Sequence, residues 1–240
     1  MKESTKSISR RLTDPRFQTR WIIGKGFDIG GRPDPLSLHL HLLPLVTDLR
    51  IWDLDDGDAQ FMKGISDETL DFVYSSHTLE HMVDPFEALR NWFRILKPGG
   101  HLIISLPDED LYEQGDFKNK FNVHHKYTFS IHKHHSWSDY TINVTDLIEN
   151  LGQAAQICLL NLEDTFYNYN IPRFDQTRTP LSESAIEFVV RKKLPEETKS
   201  GRNHIPGHIW PAGIENYYQQ YILDQKAAAS VYPTPFGETK

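Results

Sequence analysis

The chain has 240 residues, 38% of them hydrophobic and 25% charged, with a net charge of −7. That length carries one domain with a full core, and the composition is that of a soluble globular protein. The acidic balance argues against nucleic acid as the main partner, and the single Cys158 excludes an internal disulfide and suits a reducing compartment.

Residues 1–20 read as a polar, basic lead-in with no apolar core, so a secretory signal is not expected there. No apolar run approaches the ~20 residues that cross a bilayer. A cytoplasmic protein is therefore expected. "WIIGKGFDI" (21–29) is strand-like and ends at the turn Gly30-Gly31. "LSLHLHLLPLVTDLRIWDL" (36–54) alternates in the manner of short strands. "TLDFVYSS" (69–76) predicts a buried strand. "DPFEALRNWFRIL" is the clearest helix, with Asp84 as N-cap, Pro85 at the first position and Phe86, Leu89, Phe93 and Leu96 on one stripe. Pro98-Gly99-Gly100 stops it, and "HLIISL" (101–106) is the next strand. An irregular, His-rich stretch covers 107–137. A helix from about Asn143 to Gly152 follows, then strands over "AQICLLNLED" and 185–193. Residues 195–240 shift to Pro, Gly, Asn, Tyr and Gln and read as an extension that wraps the domain or reaches a second copy. The domain proper is expected over 21–194.

Strands alternating with helices predict an α/β sheet with a ligand at the strands' C-terminal ends. Polar side chains cluster there. The turn "FDIGGRPDP" lets backbone approach a ligand. Asp53, in "IWDLDDGDA", ends the second strand, where a carboxylate accepts both hydroxyls of a ribose. A solvated acidic turn explains the same residues. Asp58 has the reach to accept a hydrogen bond from an adenine amino group.

The block "GDAQFMKGISDETLDFVYSSHTLEHMVDPFEALRNWFRILKPGGHLIISLP" resembles the centre of class I S-adenosylmethionine-dependent methyltransferases. The resemblance covers about residues 22–107. More loosely, "DLYEQGDFKNKFNVHHKYTF" and "DQTRTPLSESAIEFVVRKK" are similar to methyltransferases of the bacterial polysaccharide and sugar-modifying type. It implies a Rossmann-like sheet of seven strands with helices on both faces, the last strand antiparallel and lying over 185–193. It also implies S-adenosyl-L-methionine as cofactor and a sugar, glycan or other small polar acceptor. By position, it places Gly30 and Gly31 at the methionine part of the cofactor, Asp53 at the ribose, Asp58 and Ala59 at the adenine, and Ser76 and His77 beneath the sulfonium. Glu80 and His81 belong to the same motif, in a structural role that ties the strand's rim to the glycine turn.

Two departures from the family pattern stand out. The acid-x-Gly-x-Gly-x-Gly motif is represented here by Asp28, Gly30, Arg32 and Asp34, and Pro33 removes an amide. Arg32 is expected to compensate by pairing with the cofactor's carboxylate. The span from that turn to "GDA" is also short, so a helix and a strand are expected to be trimmed, leaving Asp48 as a rival to Asp53. In the stretch "FNVHHKYTF", His125 is the candidate base: histidine's ordinary pKa suits proton removal from a hydroxyl, and the resembling enzymes carry a similar "N-x-x-H-K". His124, His125, His132, His134 and His135 lie within twelve residues, but zinc wants ligands at set spacings and the lone cysteine is elsewhere, so no metal is expected. The aromatics of "TFYNYNIPRF" (165–174) suit either a stacking wall or ordinary loop packing. Two other functions fit parts of the pattern: a nicotinamide-dependent oxidoreductase, which lacks its G-x-G-x-x-G here, and a methyltransferase-like binding subunit without catalysis. A homo-oligomer formed through the C-terminal extension is compatible with the tail.

Overall fold

The computed structural model describes residues 2–118, 123–172 and 176–204, with Gln219, Leu223, Lys226 and Ala227 beyond them. In chain order the elements are α1 (Glu3–Thr13), β1 (Gly24–Ile29), β2 (Val46–Trp52), β3 (Leu70–Ser76), α2 (Pro85–Arg94), β4 (Leu96–Pro107), β5 (Thr128–Ser130), β6 (Thr141–Asn143), α3 (Val144–Glu149), β7 (Ala155–Glu163), β8 (Ala185–Lys192) and α4 (Pro195–Ser200). The main sheet has six strands in the order β2-β1-β3-β4-β8-β7. The first four run parallel, and β8 is antiparallel to both β4 and β7. The expected antiparallel strand is thus β8, but among the described residues the sheet has six strands and not seven. The missing strand lies beyond β2, where the short span to "GDA" leaves no chain to build it.

The segment 36–42 is a 3₁₀ helix and not the expected strand. β1 and β2 are parallel neighbours, so the chain between them must cross over from one end of the sheet to the other, which a strand in that position cannot do. Leu36 is buried while Leu38 is 58% exposed.

β3 sits between β1 and β4 and is buried on both faces, as its near-continuous apolar run requires. Val73 packs with Ala88, Leu89, Trp92 and Phe93 of α2. Phe72 and Tyr74 point to the other face, against Phe17, Trp21, Leu36 and Ile103. Asp84 accepts the Glu87 N–H at 3.0 Å and starts α2, with Pro85 in the first turn.

The expected lead-in forms α1, whose buried residues are Ser4, Lys6, Ser7 and Arg11. Charge, not apolar area, docks it. Arg11 Nε donates to Glu187 Oε1 at 2.8 Å and its Nη1 to the Tyr74 hydroxyl at 2.7 Å. Arg10 donates to Glu183 at 2.9 Å and to the second oxygen of Glu187 at 2.5 Å. Such a network contributes little net stability compared with apolar packing, but removing one partner strands a buried charge. No helix among the described residues is long and apolar enough to cross a membrane. Most of the expected C-terminal extension, 205–240, falls outside the described residues.

Candidate functional site

The strand order reverses between β1 and β3, because the chain leaves β1 toward β2 on one side and returns to β3 on the other. Side chains diverge at such a point and open a crevice at the strands' C-terminal ends. A cavity of about 140 Å³ lies there, lined by Gly30, Gly31 and Arg32 after β1, Ser76 and His77 at the end of β3, and His125. Pro33 and Asp34 of the same turn, Glu3 and Ser4 of α1, and Glu80, His81 and Tyr112 complete its wall.

The glycine turn is built on Asp28. This side chain is 1% exposed, and its Oδ2 accepts the Leu36 N–H at 2.7 Å, while among the described residues its Oδ1 has no partner. Burial pushes its pKa up to about 7, against the lowering effects of the Leu36 bond and of Arg11. A Cβ on Gly31 would stand 2.5 Å from Asp28 Oδ2. Gly30 has φ +70, and a Cβ there would meet the Thr78 hydroxyl at 2.2 Å. Ser75 and Thr78 both donate to the Ile29 carbonyl, at 3.0 and 3.2 Å, and so tie the rim of β3 to that of β1.

Asp53 stands beside this turn without lining the cavity. Its Oδ2 accepts the Arg32 N–H at 3.2 Å and its Oδ1 the Leu54 N–H at 2.9 Å. Asp48, its rival in the sequence, is a residue of β2 with an exposed side chain 3.5 Å from Lys25. Arg32 has a 60% exposed side chain, 3.3 Å from Asp55. Asp58 caps its own turn by accepting the Gln60 N–H at 2.8 Å, and the Ala59 carbonyl accepts the Trp92 indole N–H at 2.8 Å. Neither Asp58 nor Ala59 reaches the cavity. Leu54, next to Asp53, is 93% exposed and offers an apolar face there that sequence reading passes over.

The other side of the cavity is a cluster of histidines and glutamates. His77 takes φ +52, with its N–H donated to Ser105 O at 2.9 Å. Its Nδ1 is 3.7 Å from Glu80 and its Nε2 is 3.9 Å from Glu3, and burial holds the imidazole well below its ordinary pKa. Glu80 is fully buried, which pushes its carboxyl up to about 7. His81 contacts the His124 carbonyl through Nδ1 at 3.2 Å, and its pKa is lowered by burial first. His125 is buried and its Nδ1 stands 2.7 Å from Glu113 Oε1. A carboxylate there accepts from Nδ1–H, and Nε2 on the other side of the ring stands 3.9 Å from Glu80. Its ring stacks on Tyr112 at 5.9 Å and meets His81 edge-on at 4.9 Å. His124, its neighbour, is exposed.

Six expected site residues therefore share one cavity: Gly30, Gly31, Arg32, Ser76, His77 and His125. Asp28 lies beneath them and Asp53 beside them. Glu113 and Glu3 were not legible, because each meets the site only through the fold. His132 and His134 stack edge-on at 5.1 Å in an exposed loop, away from the lining. Phe166 and Tyr169 are largely exposed, and the Tyr167 hydroxyl donates to Leu111 O at 3.1 Å; residues 173–175 of that stretch lie outside the described residues.

A family described as a methyltransferase domain matches residues 18–149, more than half of the chain. The chain belongs to that methyltransferase family. Membership implies S-adenosylmethionine as cofactor and makes the protein an enzyme of this type. Among solved structures, a Bacillus halodurans protein classed as a methyltransferase aligns at 14% identity and TM-score 0.51, covering 77% of this chain and 98% of the other. A SAM-dependent methyltransferase from Archaeoglobus fulgidus aligns at 18% identity and TM-score 0.50, covering 80% and 95%. At these identities the likeness establishes the fold. No curated protein matches.

The residues of this methyltransferase fit the cofactor at one end. The glycine cradle has no room for a side chain, and Ser76 Oγ and Asp28 Oδ1 are buried without partners among the described residues. At about 140 Å³ the cavity is smaller than the ~300–1,000 Å³ usual for such ligands, so the rest of the molecule must lie along the open rim.

Proposed function

We propose that this methyltransferase transfers a methyl group from S-adenosylmethionine to a hydroxyl oxygen of a sugar, glycan or other small polar acceptor. The observation that carries the reading is the pairing of His125 with Glu113 at 2.7 Å on the wall of the cavity that holds the glycine turn. Glu113 orients the imidazole through Nδ1, and Nε2 is the atom that takes the acceptor's proton. The cofactor supplies a methyl group already activated on a sulfonium. The protein's work is alignment of acceptor and methyl, with proton removal added.

In this reading Gly30 and Gly31 cradle the methionine end, with Ser76 and His77 beneath it. Arg32 turns from Asp55 to the cofactor's carboxylate, Asp53 takes the ribose hydroxyls and Leu54 supports the base. Asp58 and Ala59, which stand off the cavity, bear on the adenine only at its outer edge. Polar walls of His, Glu and Arg suit a hydroxylated acceptor better than an apolar one. A reducing, cytosolic setting belongs to this reading and suits the single thiol of Cys158.

The test is methyl-labelled cofactor with a panel of sugars and alcohols, on the native enzyme and on His125→Ala and His124→Ala. His125→Ala should keep cofactor binding and lose about 100-fold or more in turnover, with His124→Ala much milder. Near-native turnover in His125→Ala removes this residue from the chemistry.

A further inference from the structure

Glu80 presents a physical problem that the methyl-transfer reading does not resolve. It is fully buried, and among the described residues neither carboxylate oxygen has a hydrogen-bond partner. A carboxylate in that state costs several kcal/mol unless a positive charge is close. The titratable side chains nearest to it include His77 at 3.7 Å and His125 at 3.9 Å, neither within hydrogen-bond distance. One donor atom each from Glu80, His81 and His125 lies within 4.8 Å of the other two.

We propose that Glu80, His81 and His125 bind a divalent transition-metal cation at the wall of the cavity, with an open position for an oxygen of the acceptor. Both histidines are prepared for it. Nδ1 of His81 is held by the His124 carbonyl and Nδ1 of His125 by Glu113, so Nε2 is the atom each ring would offer an ion. A backbone carbonyl or carboxylate behind the imidazole is the usual support of a metal ligand. The two rings pack edge-on with centroids 4.9 Å apart. Tetrahedral donors at ~2.1 Å from an ion stand ~3.4 Å apart, so an adjustment of about an ångström closes the site. Two imidazoles and a carboxylate favour Zn²⁺ or Mn²⁺ over Mg²⁺ and Ca²⁺, and three protein ligands leave room for a fourth.

The inference deepens the methyl-transfer reading and rests on it for the role of the ion, though not for its binding. With the ion in place, the His125 lone pair is on the metal, and the ion orients the acceptor's hydroxyl and eases loss of its proton to solvent. The base role of His125 then belongs to the metal-free protein.

The test is calorimetry on full-length protein dialysed against a chelator, titrated separately with ZnCl₂ and MgCl₂. One Zn²⁺ per chain should bind at micromolar concentration or below, with no heat from Mg²⁺. Glu80→Gln and His81→Ala should each weaken zinc by about 100-fold, Glu113→Gln by about 10-fold or more, and the loop variant His132→Ala should not change it. If Glu80→Gln fails to fold by circular dichroism, the half-buried His81 decides the matter. No zinc binding, or affinity that falls in His132→Ala and not in His81→Ala, overturns the site. Titration of the chelated protein with S-adenosylhomocysteine separates the two readings: heat there with none from zinc removes the metal site alone. Zinc bound with the expected variant pattern but no heat from S-adenosylhomocysteine removes the role given to the ion and leaves the site.

Discussion

Gly31→Ala is the sharpest probe of the turn, because its obstacle is a single buried side chain. The new Cβ would stand 2.5 Å from Asp28 Oδ2 and 2.6 Å from its Cγ. Asp28 cannot swing aside freely: it is 1% exposed and holds the Leu36 N–H at 2.7 Å. Moving it adds an overpacking cost of about 1–3 kcal/mol and strands the Leu36 N–H, about 1–3 kcal/mol more. Relaxation shares these terms, so a loss of about 2–4 kcal/mol is expected. Asp28→Ala makes room for the new methyl but strands the same N–H, so the double variant counts that loss once. Its cost should fall below the sum of the singles by about 1–2 kcal/mol. Gly64→Ala, with φ +81 and nothing within 4 Å, serves as a control at about 1 kcal/mol. Urea denaturation of the four proteins measures all of this. A Gly31→Ala cost no larger than that of Gly64→Ala, or strict additivity with Asp28→Ala, would refute the packing argument.

Arg11→Ala should lower stability by about 3 kcal/mol, at the low end for a broken buried pair because Arg10 still holds Glu187; a loss under 1 kcal/mol in urea would mean that α1 is docked by other contacts. Asp28 and Asp108, raised by burial to about 7 and about 6, keep protons in the folded state that the unfolded chain releases near pH 4. Their contribution is therefore complete in acid and is lost as pH rises through about 4–7. Urea midpoints at pH 5 and 7.5 should differ less in Asp28→Asn than in the native protein, and equal differences would contradict the assignment.

The parts legible in the sequence are those whose signal is local. Helix α2 carries its own cap, proline and apolar stripe, and β3 carries a run that only a strand buried on both faces needs. Segment 36–42 misled because its alternation of Leu with Ser and His matches a strand's period, while the crossover between parallel neighbours decides its conformation. Helix α1 left no apolar trace, since its buried face is Ser4, Lys6, Ser7 and Arg11 and its partners lie far along the chain in Glu183 and Glu187. His125 was visible as a histidine near the rim, but Glu113 was not: their contact depends on the π-helical turn Glu109–Glu113 after β4. The same holds for the meeting of His125 with Glu80 and His81, which no spacing announces.

In the proposed function the turn after β1, with Asp53 beside it, holds the adenosyl cofactor. Calorimetric titration of the native protein and of Asp53→Ala with S-adenosylhomocysteine, and of the native protein with NAD, tests it directly. Measurable binding of S-adenosylhomocysteine is expected, with far weaker binding of NAD and a loss of about 1–3 kcal/mol in Asp53→Ala as the ribose hydroxyls lose their acceptor. Heat from NAD with none from S-adenosylhomocysteine would contradict it, and an unchanged affinity in Asp53→Ala would move the ribose away from this rim.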